Sequence, residues 1–135
     1  MYMDLLEIKI EIIDPRLKTD FFFPEYLSNG FFGFFLIACL KKPIYILSEK
    51  TLLISTGILI NLLDSTTRIV IEPLVSIKKK YNIIIGNPFG IIDICKDELK
   101  ISLWNRSNKS FYINPGDKVA QLLFISNKRI KLIYI

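Results

Sequence analysis

No histidine occurs among the 135 residues. Its absence removes Ser-His-Asp and Cys-His catalysis and leaves the usual zinc ligand sets incomplete, so any catalysis has to rest on carboxylates. Cysteine is nearly as scarce. Cys39 and Cys95 have no C-x-x-C spacing and read as reduced core thiols. No apolar run approaches the roughly 20 residues of a membrane-crossing helix; "GFFGFFLIACLKK", Gly30 to Lys42, holds only about ten before Lys41. The opening "MYMDLLEIKIEIID" is acidic and alternating, unlike the basic and then apolar profile of a secretory signal. The expectation is a cytoplasmic protein with no membrane partner. The net charge of +5 comes mainly from scattered lysines, and the one cluster, Lys78 to Lys80, has no interleaved aromatics. It reads as a solvated surface, and no nucleic-acid partner is expected.

What is present in quantity is apolar and β-branched. Hydrophobic residues make up 51% of the chain, much of it isoleucine, which packs well on a pleated sheet. In "LEIKIEII", Leu6, Ile8, Ile10 and Ile12 alternate with Glu7, Lys9 and Glu11, the period of a half-buried strand. "DPRLKTDFFFPEYLSNG" reads as a long loop, and the run after it as a buried strand. Further short strands are predicted in "PIYIL", "KTLLIST", "GILINL", "TRIVIE", "NIIIG", "LKISLWNR", "SFYIN", "KVAQLLFI" and "RIKLIYI". Only "LVSIKKKY" could form about two helical turns, with Leu74, Ile77 and Tyr81 on one side. Without a repeat or a linker, residues 1–135 read as a single all-β domain of many short strands, with at most one short helix. Trp104 is expected in the core or at a subunit interface.

From "GNPFGIID" onward the pattern becomes specific. Asn87, Gly90, Ile92 and Asp93, then Leu99, "ISLWNR" and "NPGDKVAQLLF", closely resemble the third and fourth motifs of the trimeric dUTPases. "KIEIIDPR", "FPEY" and "LLISTGILINL" resemble that family's earlier segments in the same order. The related dCTP deaminases fit "GNPFGIIDI" and "PGDKVAQLLF" less well. The resemblance implies a jelly-roll or distorted-barrel fold, a homotrimer, a deoxyuridine nucleotide partner (dUTP or dUMP), and the reaction of dUTP with water to give dUMP and pyrophosphate. It also implies Mg2+ as cofactor.

Carried over residue by residue, the resemblance implies that Asp93 activates water, that Asn87 and Gly90 belong to the uracil-binding hairpin, and that Gln121 lies near the substrate. Other positions depart from the family. In "SNGFFGFFLIA", Gly33, Leu36 and Ala38 keep register, but Phe35 stands where the family has the aspartate that holds a water on magnesium. A benzyl group offers no oxygen to a hard cation, so no metal ligand is assigned. Where the family reads P-R-S-G, this chain has Pro73, Leu74, Val75 and Ser76, without the arginine fork that grips phosphate. Lys96 is nearest the position of a missing deoxyribose-packing tyrosine. The last predicted strand runs to Ile135, and the family's glycine-rich C-terminal arm is expected to be lacking. The expectation is therefore a dUTPase-family protein with strongly impaired turnover. The alternative is a noncatalytic trimeric remnant that binds a nucleotide or a protein.

Overall fold

The computed structural model describes residues 7–27, 33–61, 67–74, 76–77, 81–85, 91–92, 97–126 and 129–135. Within them the chain forms strands β1 (Lys9–Ile12), β2 (Gly33–Ile37), β3 (Ile44–Ile46), β4 (Thr51–Ser55), β5 (Ile58–Asn61) and β6 (Thr67–Pro73). The series continues with β7 (Ile83–Ile85), β8 (Ile91–Ile92), β9 (Lys100–Asn105), β10 (Phe111–Ile113) and β11 (Lys118–Ser126). The pairing is antiparallel throughout, in sheets ordered β2-β11-β6-β8, β4-β9-β7, β1-β5 and β10-β3. This is the all-β architecture of short strands that the alternation anticipates. No helix among the described residues is long and apolar enough to cross a membrane.

Strand β6 shows how the pattern builds the core. Thr67, Ile69 and Ile71 turn inward and are buried, while Arg68 and Glu72 face outward. Across the ladder, Leu122 opposes both Ile71 and Phe34, extending one apolar layer over three strands. Ile54, Ile58, Ile60, Ile101 and Leu103 join it from the other sheets with no exposed surface. Each such side chain contributes about 2 kcal/mol through removal from water, an upper value because unfolded chains are partly collapsed.

Asn105, a polar residue with no exposed surface among the described residues, is accounted for. The Asn105 amide nitrogen donates to the carbonyls of Ile46 and Lys109, at 2.8 and 2.7 Å, and its oxygen accepts from the backbone and hydroxyl of Ser107. An unpaired amide there would cost a desolvation penalty. With all its partners in place, Asn105 instead fixes the turn between β9 and β10.

Four local outcomes differ from the sequence reading or refine it. The segment before β2 is more ordered than a plain loop. Pro15–Lys18 forms a 3-10 turn capped by Asp14, and residues 25–27 run alongside β2, with the Phe35 amide donating to the Glu25 carbonyl at 2.9 Å. Ser76, Ile77 and Tyr81 have the helical backbone anticipated in "LVSIKKKY", whose lysines lie outside the described residues. The "RIKLIYI" segment, in contrast, is not a strand: residues 129–135 have no ladder partner among the described residues and are exposed. An alternating pattern satisfies backbone groups only when a neighbouring strand is available. Trp104 is not in the core of this chain; it is 36% exposed on β9, and the Arg106 guanidinium lies 5.2 Å from its ring.

Candidate functional site

The long strand β11 sits between β2 and β6, so its outward residues unite two regions that are far apart in sequence. Gln121 opposes Phe35 on one side and Glu72 on the other. Directly opposed residues project from the same face of a sheet, so Phe35, Gln121 and Glu72 form one outward row. Leu74 follows immediately after β6 and is half-buried, and Ser76 is exposed. The structure thus brings Phe35, Gln121 and Glu72 to one sheet face, whereas Pro73 opposes buried Ala120 on the other face and Leu74 follows it at the end of β6. Asn87, Gly90, Asp93, Val75, Lys96 and Cys95 lie outside the described residues.

One member of this face was not foreseen. Simple alternation from buried Ala120 would turn Lys118 into the core, but the register shifts between Lys118 and Ala120, and Lys118 opposes Ile37. A bulge that adds one residue to a strand flips the following side chain to the other face. Lys118 consequently lies over Phe35, its ammonium 4.5 Å from the ring centroid, and forms an ion pair with Glu25. The face of an aromatic ring attracts a cation through its quadrupole. Glu25 and Lys118 occur within "FPEY" and "NPGDKVAQ", but 93 residues separate them, so no local pattern announces their contact.

These groups do not suit magnesium. Phe35 supplies no oxygen ligand, and the place beside its ring is taken by an ammonium that would repel a second cation. Among the described residues, no three His, Cys, Asp or Glu side chains are grouped so as to hold a metal ion.

A separate cleft of about 330 Å³ is lined by Ile13, Asp14, Pro15, Arg16, Cys39, Lys41, Ser55 and Glu98. Its charged groups are mostly engaged with the fold. Arg16 donates to both Asp14 carboxylate oxygens and, at 2.7 Å, to the Leu40 carbonyl; the Cys39 thiol donates to Asp14 at 3.1 Å. Glu98 accepts from the Gly57 amide at 2.9 Å. Hydrogen bonds from Arg16 hold the Asp14 carboxyl well below the usual carboxylate range. Burial, followed by the bond to Asp14, pushes the Cys39 thiol up to about 11. A thiol so protonated is a poor nucleophile, and this cluster acts as a fastener between the Pro15–Lys18 turn and the end of β2.

Comparison with known proteins agrees with the motifs. A family model described as dUTPase matches residues 20–133. The chain is similar to the deoxyuridine 5'-triphosphate nucleotidohydrolase of Blochmanniella pennsylvanica, with 44% identity over 119 residues, 87% of this chain and 80% of that protein. The corresponding protein of Buchnera aphidicola subsp. Acyrthosiphon pisum is 41% identical over 119 residues, 87% of this chain and 77% of the relative. Among solved structures, a dUTPase from phage phi11 of S. aureus, described as coordinating a structural Mg(II) ion, matches with a TM-score of 0.74 and 14% identity, over 96% of this chain and 97% of that one. The Streptococcus mutans dUTPase matches with a TM-score of 0.68 and 17% identity, over 90% and 98% of the two chains. At these identities the structural likeness concerns the fold alone.

Proposed function

We propose that this chain, which belongs to the dUTPase family, is a cytoplasmic homotrimer that recognises a deoxyuridine nucleotide and hydrolyses dUTP to dUMP and pyrophosphate only very slowly. The observation that carries the reading is Phe35 in the outward row beside Gln121, covered by an ammonium where a metal-ordering carboxylate would be needed. Asp93 retains the chemistry of a base that orients water towards the α-phosphorus, and Asn87 and Gly90 belong to the motif that the family resemblance assigns to uracil. Leu74 and Val75 cannot clamp phosphate as an arginine and a serine would. Phosphoryl-group chemistry depends mainly on positioning and charge neutralisation, and losing one such group commonly costs about 100-fold to 1000-fold in rate. Exposed apolar side chains, among them Leu53, Leu132 and Tyr134, favour assembly of several copies. The free, buried Cys39 thiol suits a reducing compartment.

The test is steady-state pyrophosphate release from dUTP in magnesium-containing buffer. The parent protein should turn over far below the roughly ten per second typical of enzymes. The combined substitutions Phe35→Asp, Leu74→Arg and Val75→Ser should raise the rate, and adding Asp93→Asn should abolish the gain. A parent protein with ordinary turnover would overturn the proposal. If the restored protein remains inert while still binding dUMP, the noncatalytic reading is favoured.

A further inference from the structure

We infer that Glu25, Lys118 and Phe35 form a metal-independent phosphate anchor, in which the Lys118 ammonium holds a pyrophosphate group of the ligand and the Glu25 carboxylate occupies that ammonium until the ligand displaces it. The inference rests on the reading above that this sheet face is the nucleotide site. It goes further by naming the group that takes over phosphate binding at the altered position.

Three observations converge on it. The register shift between Lys118 and Ala120 carries Lys118 from the core side of β11 to the face that holds Phe35 and Gln121. Bulges commonly re-aim a side chain beside a functional site. The ammonium is then held at a defined place, 4.5 Å from the Phe35 ring centroid, while its side chain remains 44% exposed and reachable by a ligand. Finally, Glu25 is anchored next to the same ring through its backbone, which accepts from the Phe35 amide at 2.9 Å. Its carboxylate pairs with Lys118 at the surface, where ion pairs are weak and exchangeable.

The arrangement also accounts for charge. An ammonium fixed over an aromatic ring supplies one positive charge to a polyanion without a bound metal, whereas an aspartate at position 35 would add negative charge and require a metal to offset it. Glu25 neutralises Lys118 in the free protein. A pyrophosphate carries several negative charges and out-competes a single carboxylate for the same ammonium.

The decisive experiment is calorimetric titration of inorganic pyrophosphate into the full chain at low ionic strength, with EDTA and then with excess Mg2+. Binding should persist in EDTA. Lys118→Met keeps the apolar stem on the ring but removes the charge, and should weaken binding about fivefold, while Lys118→Arg should retain it. Glu25→Gln should tighten binding about fivefold, a gain that misfolding cannot produce. Binding that requires Mg2+, that is indifferent to Lys118→Met, that is not tightened by Glu25→Gln, or that is absent from both the parent and Glu25→Gln would overturn the inference. Titration with dUMP separates the two readings. Failure to bind dUMP alongside Lys118-dependent pyrophosphate binding would reject the deoxyuridine site and leave the anchor standing.

Discussion

Gly33 and Leu122 meet backbone to backbone: a Cβ on Gly33 would lie 1.8 Å from the Leu122 carbonyl oxygen. No side-chain rotation relieves such a clash, because the obstructing atom belongs to the neighbouring strand. The absence of a Cβ at this one position therefore sets the spacing of β2 and β11, and with it the juxtaposition of Phe35 and Gln121 two residues further along.

Gly33→Ala should accordingly destabilise the protein by about 3 kcal/mol, in the range of strained, overpacked core substitutions. Urea unfolding of the variant beside the parent measures this directly. A change smaller than about 0.5 kcal/mol, the level of ordinary surface substitutions, would show that the two strands separate easily and that Gly33 does not set their spacing.

The Asp14–Arg16 fastener makes a pH-dependent contribution. Asp14 caps the turn through the Arg16 amide at 3.0 Å and pairs with the Arg16 guanidinium at 2.7 Å. Asp14→Asn should cost about 1–2 kcal/mol at pH 7. The folded carboxyl titrates below its ordinary value of 3.8, so the folded state binds fewer protons than the unfolded chain in that window. The stabilisation is thus complete above about pH 5, declines as the pH falls past the ordinary value and disappears only below the lowered folded one. Unfolding of the parent and Asp14→Asn should differ most at neutral pH and converge in strong acid. A gap that widens on acidification would contradict this assignment.

Residues 129–135 carry Ile130, Leu132, Ile133, Tyr134 and Ile135, each at least 73% exposed. Such a concentration of apolar surface is a strong association signal. In the proposed trimer it should be covered by a neighbouring copy. Leu132→Asp together with Tyr134→Asp should therefore shift sedimentation from about three protomers toward one, while leaving the far-ultraviolet strand signal of the domain in place. Unchanged assembly would place the interface elsewhere, and a parent protein that is monomeric at micromolar concentration would reject the trimer.

Much of the β architecture was legible because period-two alternation and burial are linked locally. Ile10 and Ile12 turn towards the core from β1, and Ile69 and Ile71 do so from β6, as their spacing anticipates. The family was legible for a different reason: "GNPFGIID" and "NPGDKVAQLLF" are long, ordered motifs that no periodicity argument would yield. The same local rule misread "RIKLIYI", whose alternation is as regular as that of "LEIKIEII" but whose backbone finds no partner strand among the described residues.

The sequence by itself determined that this chain is a β domain of the dUTPase family with phenylalanine at position 35, because residue chemistry and motif order require no knowledge of contacts. Only the tertiary structure decided what became of that position. The alternation of "KVAQLLF" would hide Lys118 in the core, yet the ladder with β2 slips at Val119 and turns it outward onto Phe35, where Glu25 reaches it from 93 residues away. A side chain's direction at a bulge depends on the register between two strands, and an ion pair depends on which segments that register brings together. Both are properties of the assembled sheet and not of any single stretch of chain.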